Sequence, residues 1–237
     1  TRRRRCSLWE YQLLGKVDFM LFHVARTARN FHLASAIHPG ILAPMTMSPV
    51  QKKWDQRYQH SNDPGNPCWL LQNHSYLLPT TGRSLDLACG LGANALFLAA
   101  QGLESHAWDC SSVAMKKLTL FATRQQFSIT TQHREIEQHP PEENSFDIIV
   151  VSQFLYRHIM PALIDALLPG GLLFYQTFNQ EKLSKKGPSN PDFLLANNEL
   201  LNLLSPLEVV FYREDRMIGR LDQGLRDFSY FIGRKPF

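Results

Sequence analysis

Residues 84–102 constrain the fold of this chain more than any other stretch, because they indicate a buried strand, a glycine turn and a helix. Leu85 and Leu87 supply apolar positions for the strand, and a run rich in Ala and Leu, both strong helix formers, follows the turn. Gly90 and Gly92 permit a tight turn with positive φ and allow a ligand to approach bare backbone. The stretch therefore predicts a ligand site where the strand ends and the helix begins.

Asp86 lies inside the predicted strand, just ahead of these glycines. An isolated carboxylate is costly to bury, so it requires a donor or a cation nearby. A turn of this kind can hold the pyrophosphate of a dinucleotide at the helix N-terminus, but Asp86 would repel a pyrophosphate. The ammonium of S-adenosylmethionine, a ligand without phosphate, would instead be attracted to it. A strand, turn and helix that bind no ligand remain the alternative.

Residues 86–94 read Asp-Leu-Ala-Cys-Gly-x-Gly-x-Asn and resemble motif I of class I S-adenosylmethionine-dependent methyltransferases. The chain is similar in particular to small bacterial methyltransferases of the tellurite-resistance and thiopurine types. The resemblance implies an α/β fold: a Rossmann-like, seven-stranded, mostly parallel sheet with helices on both faces and a C-terminal antiparallel hairpin. It also implies S-adenosylmethionine as the cofactor, held at this motif by Asp86, Ala88, Cys89, Gly90, Gly92 and Asn94.

Most of the excess basic charge lies near the beginning of the sequence. Residues 1–46 hold seven of the 25 Lys and Arg side chains and two of the 21 Asp and Glu, which leaves a formal charge of −1 on residues 47–237. Nucleic-acid binding needs a strong basic bias, so this balance disfavours a DNA or RNA substrate.

We predict that residues 47–237 form the methyltransferase domain and that residues 1–46 are an N-terminal extension outside it. Three origins stay open for the extension: upstream sequence translated together with the gene, an Arg-rich targeting segment, or an additional helix. No apolar run approaches the roughly 20 residues that span a bilayer, so no membrane association is expected. Four cysteines without a CxxC pair favour free thiols in a reducing cytoplasm.

Residues 54–58, Trp-Asp-Gln-Arg-Tyr, resemble the Trp-Asp-x-Arg-Tyr that opens many small bacterial methyltransferases. In those proteins this N-terminal helix lies over the cofactor pocket, which makes Trp54 and Tyr58 candidates for contact with the substrate. Packing of the two rings on the sheet, at i and i+4 of an amphipathic helix, is the alternative. Ser48 and Pro49 predict the start of that helix, and residues 68–78 are expected to form a second helix.

Asp109 ends the predicted strand Ser105–Trp108, 17 residues after the second glycine of the turn. An acid at this position accepts the two ribose hydroxyls in dinucleotide and S-adenosylmethionine sites alike, so it does not choose between them. N-capping of the following helix is the alternative, although Ser111 or Ser112 could serve there. We assign Asp109 to the ribose, and Cys110 beside it to the same cofactor site.

Glu135 and Ile136 follow the third predicted strand, Ile129–Gln132. In the family that the chain resembles, an acid at this point accepts from the adenine amine and an apolar side chain packs on the adenine ring. The sequence has Glu where Asp is usual, so the carboxylate reaches one methylene further. A solvated charged loop is the alternative.

Residues 146–152 form the clearest buried strand, with the apolar run typical of a parallel strand covered on both faces. Ligands of open α/β sheets bind at the carboxyl ends of strands. Ser152, Gln153 and Phe154 are therefore candidates for the floor under the methionine moiety and the transferable methyl group. Tyr156 and Arg157 either contact the substrate or begin the next helix.

Residues 169–171, Pro-Gly-Gly, separate a predicted helix, Met160–Leu168, from a predicted strand, Leu172–Phe178. This segment resembles the entry to the fifth strand of class I methyltransferases and favours that family over dehydrogenases. A long insertion over residues 179–198 follows, and insertions of this length often form lids or binding loops. Phe193 and Leu194 are its candidates for covering the acceptor pocket.

Methyl transfer from S-adenosylmethionine is an in-line displacement at an activated carbon, so an enzyme mainly aligns the nucleophile and excludes water. The sequence shows no strong catalytic base and no metal-ligand spacing, so the catalytic residue stays open and no metal is expected. Thiolates and reduced chalcogen anions are acceptors that need little help from a base. We predict transfer to a small-molecule acceptor, and the resemblance implies a thiol- or chalcogen-type nucleophile.

Three alternatives remain open at this point. A nucleic-acid or protein methyltransferase is weakened by the charge balance of residues 47–237. A non-catalytic protein that binds S-adenosylmethionine would keep the same binding residues. An NAD-dependent dehydrogenase is disfavoured by Asp86 and by the Pro-Gly-Gly segment.

Overall fold

The computed structural model describes residues 47–237, so the predicted N-terminal extension, residues 1–46, lies outside the described residues. The helices are α1 Pro49–Gln59, α2 Trp69–Asn73, α3 Ala93–Ala100, α4 Ser112–Arg124, α5 Met160–Ala166 and α6 Glu199–Leu203. The strands are β1 Arg83–Leu87, β2 Glu104–Asp109, β3 Ile129–His133, β4 Phe146–Ser152, β5 Leu167–Phe178, β6 Glu208–Arg213 and β7 Phe228–Arg234.

The seven strands form one sheet in the order β3-β2-β1-β4-β5-β7-β6. Strands β1 to β5 are parallel to one another, whereas β7 is antiparallel to both β5 and β6. The carboxyl ends of β1, β2, β4 and β5 therefore meet along one edge, which we call the carboxyl edge. Ligands of open α/β sheets bind at such an edge. The predicted Rossmann-like sheet with its C-terminal antiparallel hairpin is confirmed.

Strand β4 is covered on both faces, as its apolar run predicts. Ile148 and Val150 pack in a cluster that includes Leu70 of α2. Ile149 and Val151 point the other way, into a cluster that includes residues of α5 and α6. Because successive side chains of a strand alternate between faces, this burial fixes the register of the sheet and the position of its carboxyl edge.

Two segments differ from the sequence-based prediction. Strand β5 begins at Leu167 rather than at Leu172, because Gly170 and Gly171 pair with Lys235, each through one backbone hydrogen bond of 2.9 Å. The predicted helix over 68–78 is interrupted: α2 ends at Asn73 and a 3-10 turn, Ser75–Leu77, follows. Within residues 47–237, no helix is long and apolar enough to cross a membrane.

Gly92 occupies a position that only glycine fits without strain. It precedes α3 with a φ of 80°, and a Cβ atom there would overlap the side chain of Leu118 on α4. The second glycine of the turn therefore permits both the left-handed backbone and the close packing of α4 on this loop.

Gly92→Ala is expected to destabilise the protein through both features. The left-handed conformation costs an Ala about 1–2 kcal/mol, and forcing a methyl group into a packed core costs about 1–3 kcal/mol. Gly219→Ala is the matched control, because Gly219 has a φ of 72° but open space around it. The difference in the free energy of unfolding, measured by denaturant titration, isolates the contribution of Leu118. Equal losses in the two variants would contradict the prediction.

Candidate active site

The glycine loop between β1 and α3 has an unusual backbone conformation. Ala88, Gly90 and Gly92 have φ values of 55°, 54° and 80°. Two hydrogen bonds hold the loop: the Cys89 amide donates to the Trp108 carbonyl at 3.0 Å, and the Gly92 amide donates to the Cys89 carbonyl at 2.9 Å. Left-handed conformation in a residue such as Ala88 persists only where the surroundings impose it, and such strain clusters at ligand sites.

Asp109 connects the glycine loop to the start of α4. Its carboxylate is buried and accepts the amide of Gly90 at 2.8 Å and the amide of Ser111 at 2.8 Å. Ser111 caps α4, since its hydroxyl accepts the amide of Ala114, so Asp109 is not the N-cap of that helix. Burial raises the pKa of Asp109 above its usual range, while its two backbone donors oppose the rise. Each oxygen keeps a second lone pair for a ligand hydroxyl.

Asp86 is fully buried at the end of β1. Its Oδ1 accepts from Nδ2 of Asn94 at 3.1 Å, and its Oδ2 accepts the amide of Ala95 at 3.1 Å. Burial raises the pKa of Asp86 to about 7, although both hydrogen bonds lower it, and the charge of Asp109 adds to the rise. The carboxylate thus fixes the strand, the turn and the first turn of α3 relative to one another.

Asn94 extends this arrangement to α2. Its Oδ1 accepts the amide of Cys68 at 2.8 Å, while its amide group donates to Asp86. Gln176 of β5 makes a second link to α2, because its Oε1 accepts the amide of Leu70 at 3.0 Å. The short helix α2 is therefore held at the carboxyl edge by α3 and by β5, a contact that the sequence pattern did not predict.

Three thiols surround the glycine loop. Burial raises the pKa of Cys68 to about 12, and burial together with Asp109 raises the pKa of Cys110 to about 12. Burial and the carboxylates of Asp86 and Asp109 raise the pKa of Cys89 well above its usual value. Since the thiolate is the reactive form of cysteine, these side chains are neutral and unreactive at physiological pH.

The loop after β4 is held by β5. Gln153 has a φ of 58°, and its amide donates to the Gln176 carbonyl at 2.9 Å. The hydroxyl of Tyr175 donates to the Phe154 carbonyl at 2.8 Å. Ser152 and Phe154 are half-buried. This second strained loop lies at the carboxyl edge beside the glycine loop, because β4 pairs with β1.

Helix α1 places one aromatic residue directly on the glycine loop. The Tyr58 hydroxyl lies 2.6 Å from the position that a Cβ atom on Gly90 would take. The Trp54 ring stacks on Tyr58 with 5.6 Å between centroids, and the guanidinium of Arg57 lies 5.6 Å from the Trp54 ring. Burial and the charge of Asp109 raise the pKa of Tyr58. The structure thus brings Tyr58 to the predicted cofactor motif, with Trp54 stacked on it.

Glu135 and Ile136 follow β3 near the same edge. Ile136 is buried in the core cluster that includes Trp108. Glu135 is half-buried and accepts from Nε2 of Gln138 at 3.0 Å, and its charge contributes to the raised pKa of Cys110. The two candidates for the adenine therefore lie beside the strand that carries Asp109.

Arg157 anchors the insertion that follows β5. Its guanidinium makes a two-point ion pair with Glu199, at 2.5 and 3.1 Å, and donates to the carbonyls of Asp192 and Leu194 at 2.6 and 3.0 Å. Phe193, between these carbonyls, is 50% exposed. Glu199 is a partner that the sequence did not reveal, because it lies far from Arg157 along the chain.

Two further features concern the remaining candidates. The Tyr156 ring contacts His158 edge-on, with 5.5 Å between centroids. Among residues 47–237, no group of three or more His, Cys, Asp or Glu side chains could hold a metal ion.

Comparison with known proteins places this geometry in context. Residues 85–171 match a family described as a methyltransferase domain. None of the curated proteins compared with the chain matches it. TehB from Haemophilus influenzae is 21% identical, with a TM-score of 0.60 over 77% of this chain and 67% of TehB.

Two other solved structures share the fold at a similar level of sequence identity. An S-adenosylmethionine-dependent methyltransferase from Methanosarcina mazei is 18% identical, with a TM-score of 0.56 over 73% of this chain and all of that one. The cyclase SpnF is 17% identical, with a TM-score of 0.55 over 68% of this chain and 76% of SpnF.

The family match covers the glycine loop, Asp109 and β4, and it confirms the predicted class of enzyme. The structural likenesses confirm the predicted fold. Residues 85–171 of this chain therefore match a methyltransferase domain, and they lie within a structure that has the Rossmann-like fold of these solved neighbours.

Proposed function

We propose that this protein transfers a methyl group from S-adenosylmethionine to a small-molecule acceptor at the carboxyl edge of the sheet. The observation that carries the proposal is the pair of buried carboxylates, Asp86 and Asp109, which accept from the start of α3 and from the glycine loop. A nucleoside with a cationic amino-acid tail needs an acceptor for its ribose and an anion for its ammonium. The two carboxylates supply both, and this chemistry fits S-adenosylmethionine better than a phosphate-bearing dinucleotide.

The predicted site residues divide between the parts of the cofactor. Asp109 accepts from the ribose hydroxyls, and Asp86 attracts the ammonium directly or through water. Glu135 accepts from the adenine amine, with Ile136 against the ring. The remaining predicted residues line the path between these groups: Ala88, Cys89, Gly90, Gly92, Asn94, Cys110, Ser152, Gln153 and Phe154.

When bound, S-adenosylmethionine supplies a methyl group on a sulfonium that is already activated for displacement. The residues of this chain hold both reactants in line and exclude water. The neutral thiols of Cys68, Cys89 and Cys110 can line the site without competing with the acceptor as nucleophiles.

The acceptor side of the proposed site is formed by residues from distant parts of the chain. Arg157 holds the insertion at Asp192 and Leu194, which supports Phe193 and Tyr156 as candidates for contact with the acceptor. Trp54 and Tyr58 approach from α1. A soft sulfur- or chalcogen-type nucleophile suits this site, since it needs no general base. The charge of −1 on residues 47–237 disfavours a nucleic acid as acceptor.

The test is transfer of an isotopically labelled methyl group from S-adenosylmethionine. Formation of S-adenosylhomocysteine is measured in parallel as the second product. The acceptors are small thiols, reduced selenium and tellurium anions, bulk RNA and a mixture of unfolded proteins. We expect label in a low-molecular-weight product. Label in RNA or protein alone would overturn the acceptor class. Binding without turnover of any acceptor would favour a non-catalytic protein. Turnover has to be measured because the fold alone does not establish methyl transfer, since it also occurs in a cyclase.

A further inference from the structure

We propose that Asp55 is a positioning residue for the cofactor, because it holds α1 and the start of α4 against the glycine loop. The inference rests on the proposed function, since it assumes that the ligand of this loop is S-adenosylmethionine. It assigns a role to a carboxylate in the Trp-Asp-Gln-Arg-Tyr segment that the sequence reasoning left without one. Asp55 acts through Ser111 and Tyr58.

Asp55 is buried on a helix whose outer face is exposed. It is 8% exposed, whereas Lys52, Lys53 and Gln56 around it face solvent. Its Oδ1 accepts from the Ser111 hydroxyl at 2.6 Å and from the Val113 amide at 3.1 Å. A carboxylate that receives these donors at the N-terminus of α4 also interacts favourably with the dipole of that helix.

Ser111 connects Asp55 to the proposed ribose acid. Its hydroxyl donates to Asp55 and accepts the amide of Ala114 at 3.1 Å, while its own amide donates to Asp109 at 2.8 Å. Asp109 in turn accepts the amide of Gly90. A continuous series of hydrogen bonds therefore runs from α1 through the start of α4 to the glycine loop.

The far end of α1 is fixed to α4 as well. The ammonium of Lys117 donates to the carbonyls of Tyr58, Gln59 and Ser61 at 2.8, 2.8 and 2.6 Å. Tyr58, whose hydroxyl lies against Gly90, is thus placed between two attachments. Loss of the attachment at Asp55 frees both Tyr58 and Ser111, whereas loss of the attachment at Lys117 leaves Ser111 in place.

The ionised state of Asp55 suits this role. Burial opposes ionisation, but the hydrogen bonds from Ser111 and Val113, with weaker ones from Ser112 and Gln51, lower the pKa of Asp55 below its usual value. No acidic side chain belongs to α1 besides Asp55, and Lys117 is the charged group of α4 that faces the C-terminal end of α1. An Asn at this position keeps the size of the side chain but loses the charge. Its NH2 group is a donor, and it would face a donor of α4 with no acceptor between them.

The test compares Asp55→Asn with Gln56→Ala, an exposed neighbour on the same helix. Calorimetric titration measures the affinity for S-adenosylmethionine and S-adenosylhomocysteine, and hydrogen exchange follows residues 49–59 and 88–92. We expect Asp55→Asn to weaken both ligands by about tenfold to a hundredfold, the range for loss of a charged hydrogen bond. Exchange should rise in both segments, while β4 and β5 stay protected. Gln56→Ala should bind as the wild type does.

A readout of turnover separates positioning from a purely structural role. We expect Asp55→Asn to raise KM for S-adenosylmethionine with little change in kcat. Wild-type affinity in folded Asp55→Asn would overturn the inference and leave the proposed function intact. So would faster exchange throughout the sheet, because it would show general destabilisation. Failure of the wild-type protein to bind S-adenosylmethionine would instead overturn the proposed function.

Discussion

Asp109→Ala is expected to abolish measurable binding of S-adenosylmethionine while the domain stays folded. The change removes the proposed ribose acceptor and leaves the buried amides of Gly90 and Ser111 without their partner. An unsatisfied buried donor costs about 1–3 kcal/mol, so the glycine loop relaxes from its strained conformation. We expect the dissociation constant to rise by at least about a hundredfold, on the scale of a lost charged hydrogen bond together with the loop contacts.

Two further variants sharpen this result. Asp109→Asn keeps the shape of the side chain but can accept only one of the two amides well, so its affinity should fall between those of the wild type and the Ala variant. Glu104→Gln, at the exposed opposite end of β2, should bind as the wild type does. Calorimetric titration gives the affinities, and circular dichroism reports folding. Unchanged affinity in folded Asp109→Ala would remove Asp109 from the site.

The second large effect concerns Asp86 and pH. Burial raises its pKa to about 7, against the hydrogen bonds from Asn94 and Ala95. A ligand ammonium nearby favours the ionised carboxylate, so the pKa falls when the ligand binds. Below pH 7 the free protein holds a proton that binding must displace. Affinity for S-adenosylmethionine should therefore fall by up to about tenfold for each pH unit below 7 and level off above it.

The same carboxyl group affects the stability of the unliganded protein in a defined direction. Its pKa is about 7 in the folded chain and 3.8 in the unfolded chain, so the folded state keeps the proton to higher pH. Its contribution therefore favours folding below pH 4 and is lost as the pH rises towards 7. Asp86→Asn should flatten the pH dependence of the affinity for S-adenosylmethionine and that of the free energy of unfolding. Calorimetric titration measures the first and denaturant unfolding the second, across pH 5 to 8. The same slopes in that variant would assign the titration to another group.

The parts of the fold that follow from local pattern were predictable from the sequence. The apolar run of β4 fixes a strand buried on both faces, and the glycines between β1 and α3 fix the turn. Positions of Asp86 and Asp109 at the ends of their strands follow from the same patterns. These features depend on residues a few positions apart, where alternation, helix propensity and turn chemistry act directly.

The partners of the polar side chains were not predictable in the same way. Asp55 meets Ser111, and Arg157 meets Glu199, only after helices and loops distant in sequence have packed together. Asn94 and Cys68 are joined for the same reason. A sequence pattern identifies a residue that needs a partner, as it does for Asp86, but the partner is chosen by packing. For that reason the glycine motif is visible in the sequence, whereas the hydrogen bonds that tie it to α1 and α2 are not.

The position of β7 between β5 and β6 has a consequence for how the sheet is assembled. Strand β7 is the last strand of the chain and begins at Phe228, long after β5 ends at Phe178. Until β7 docks, the hydrogen-bonding edge of β5 is unpaired and open to other chains. Tyr230, Phe231 and Ile232 are then also uncovered, although all three are buried in the finished sheet. The exposed edge of β5 is therefore closed only by the last segment of the chain, which also forms the partner for β6.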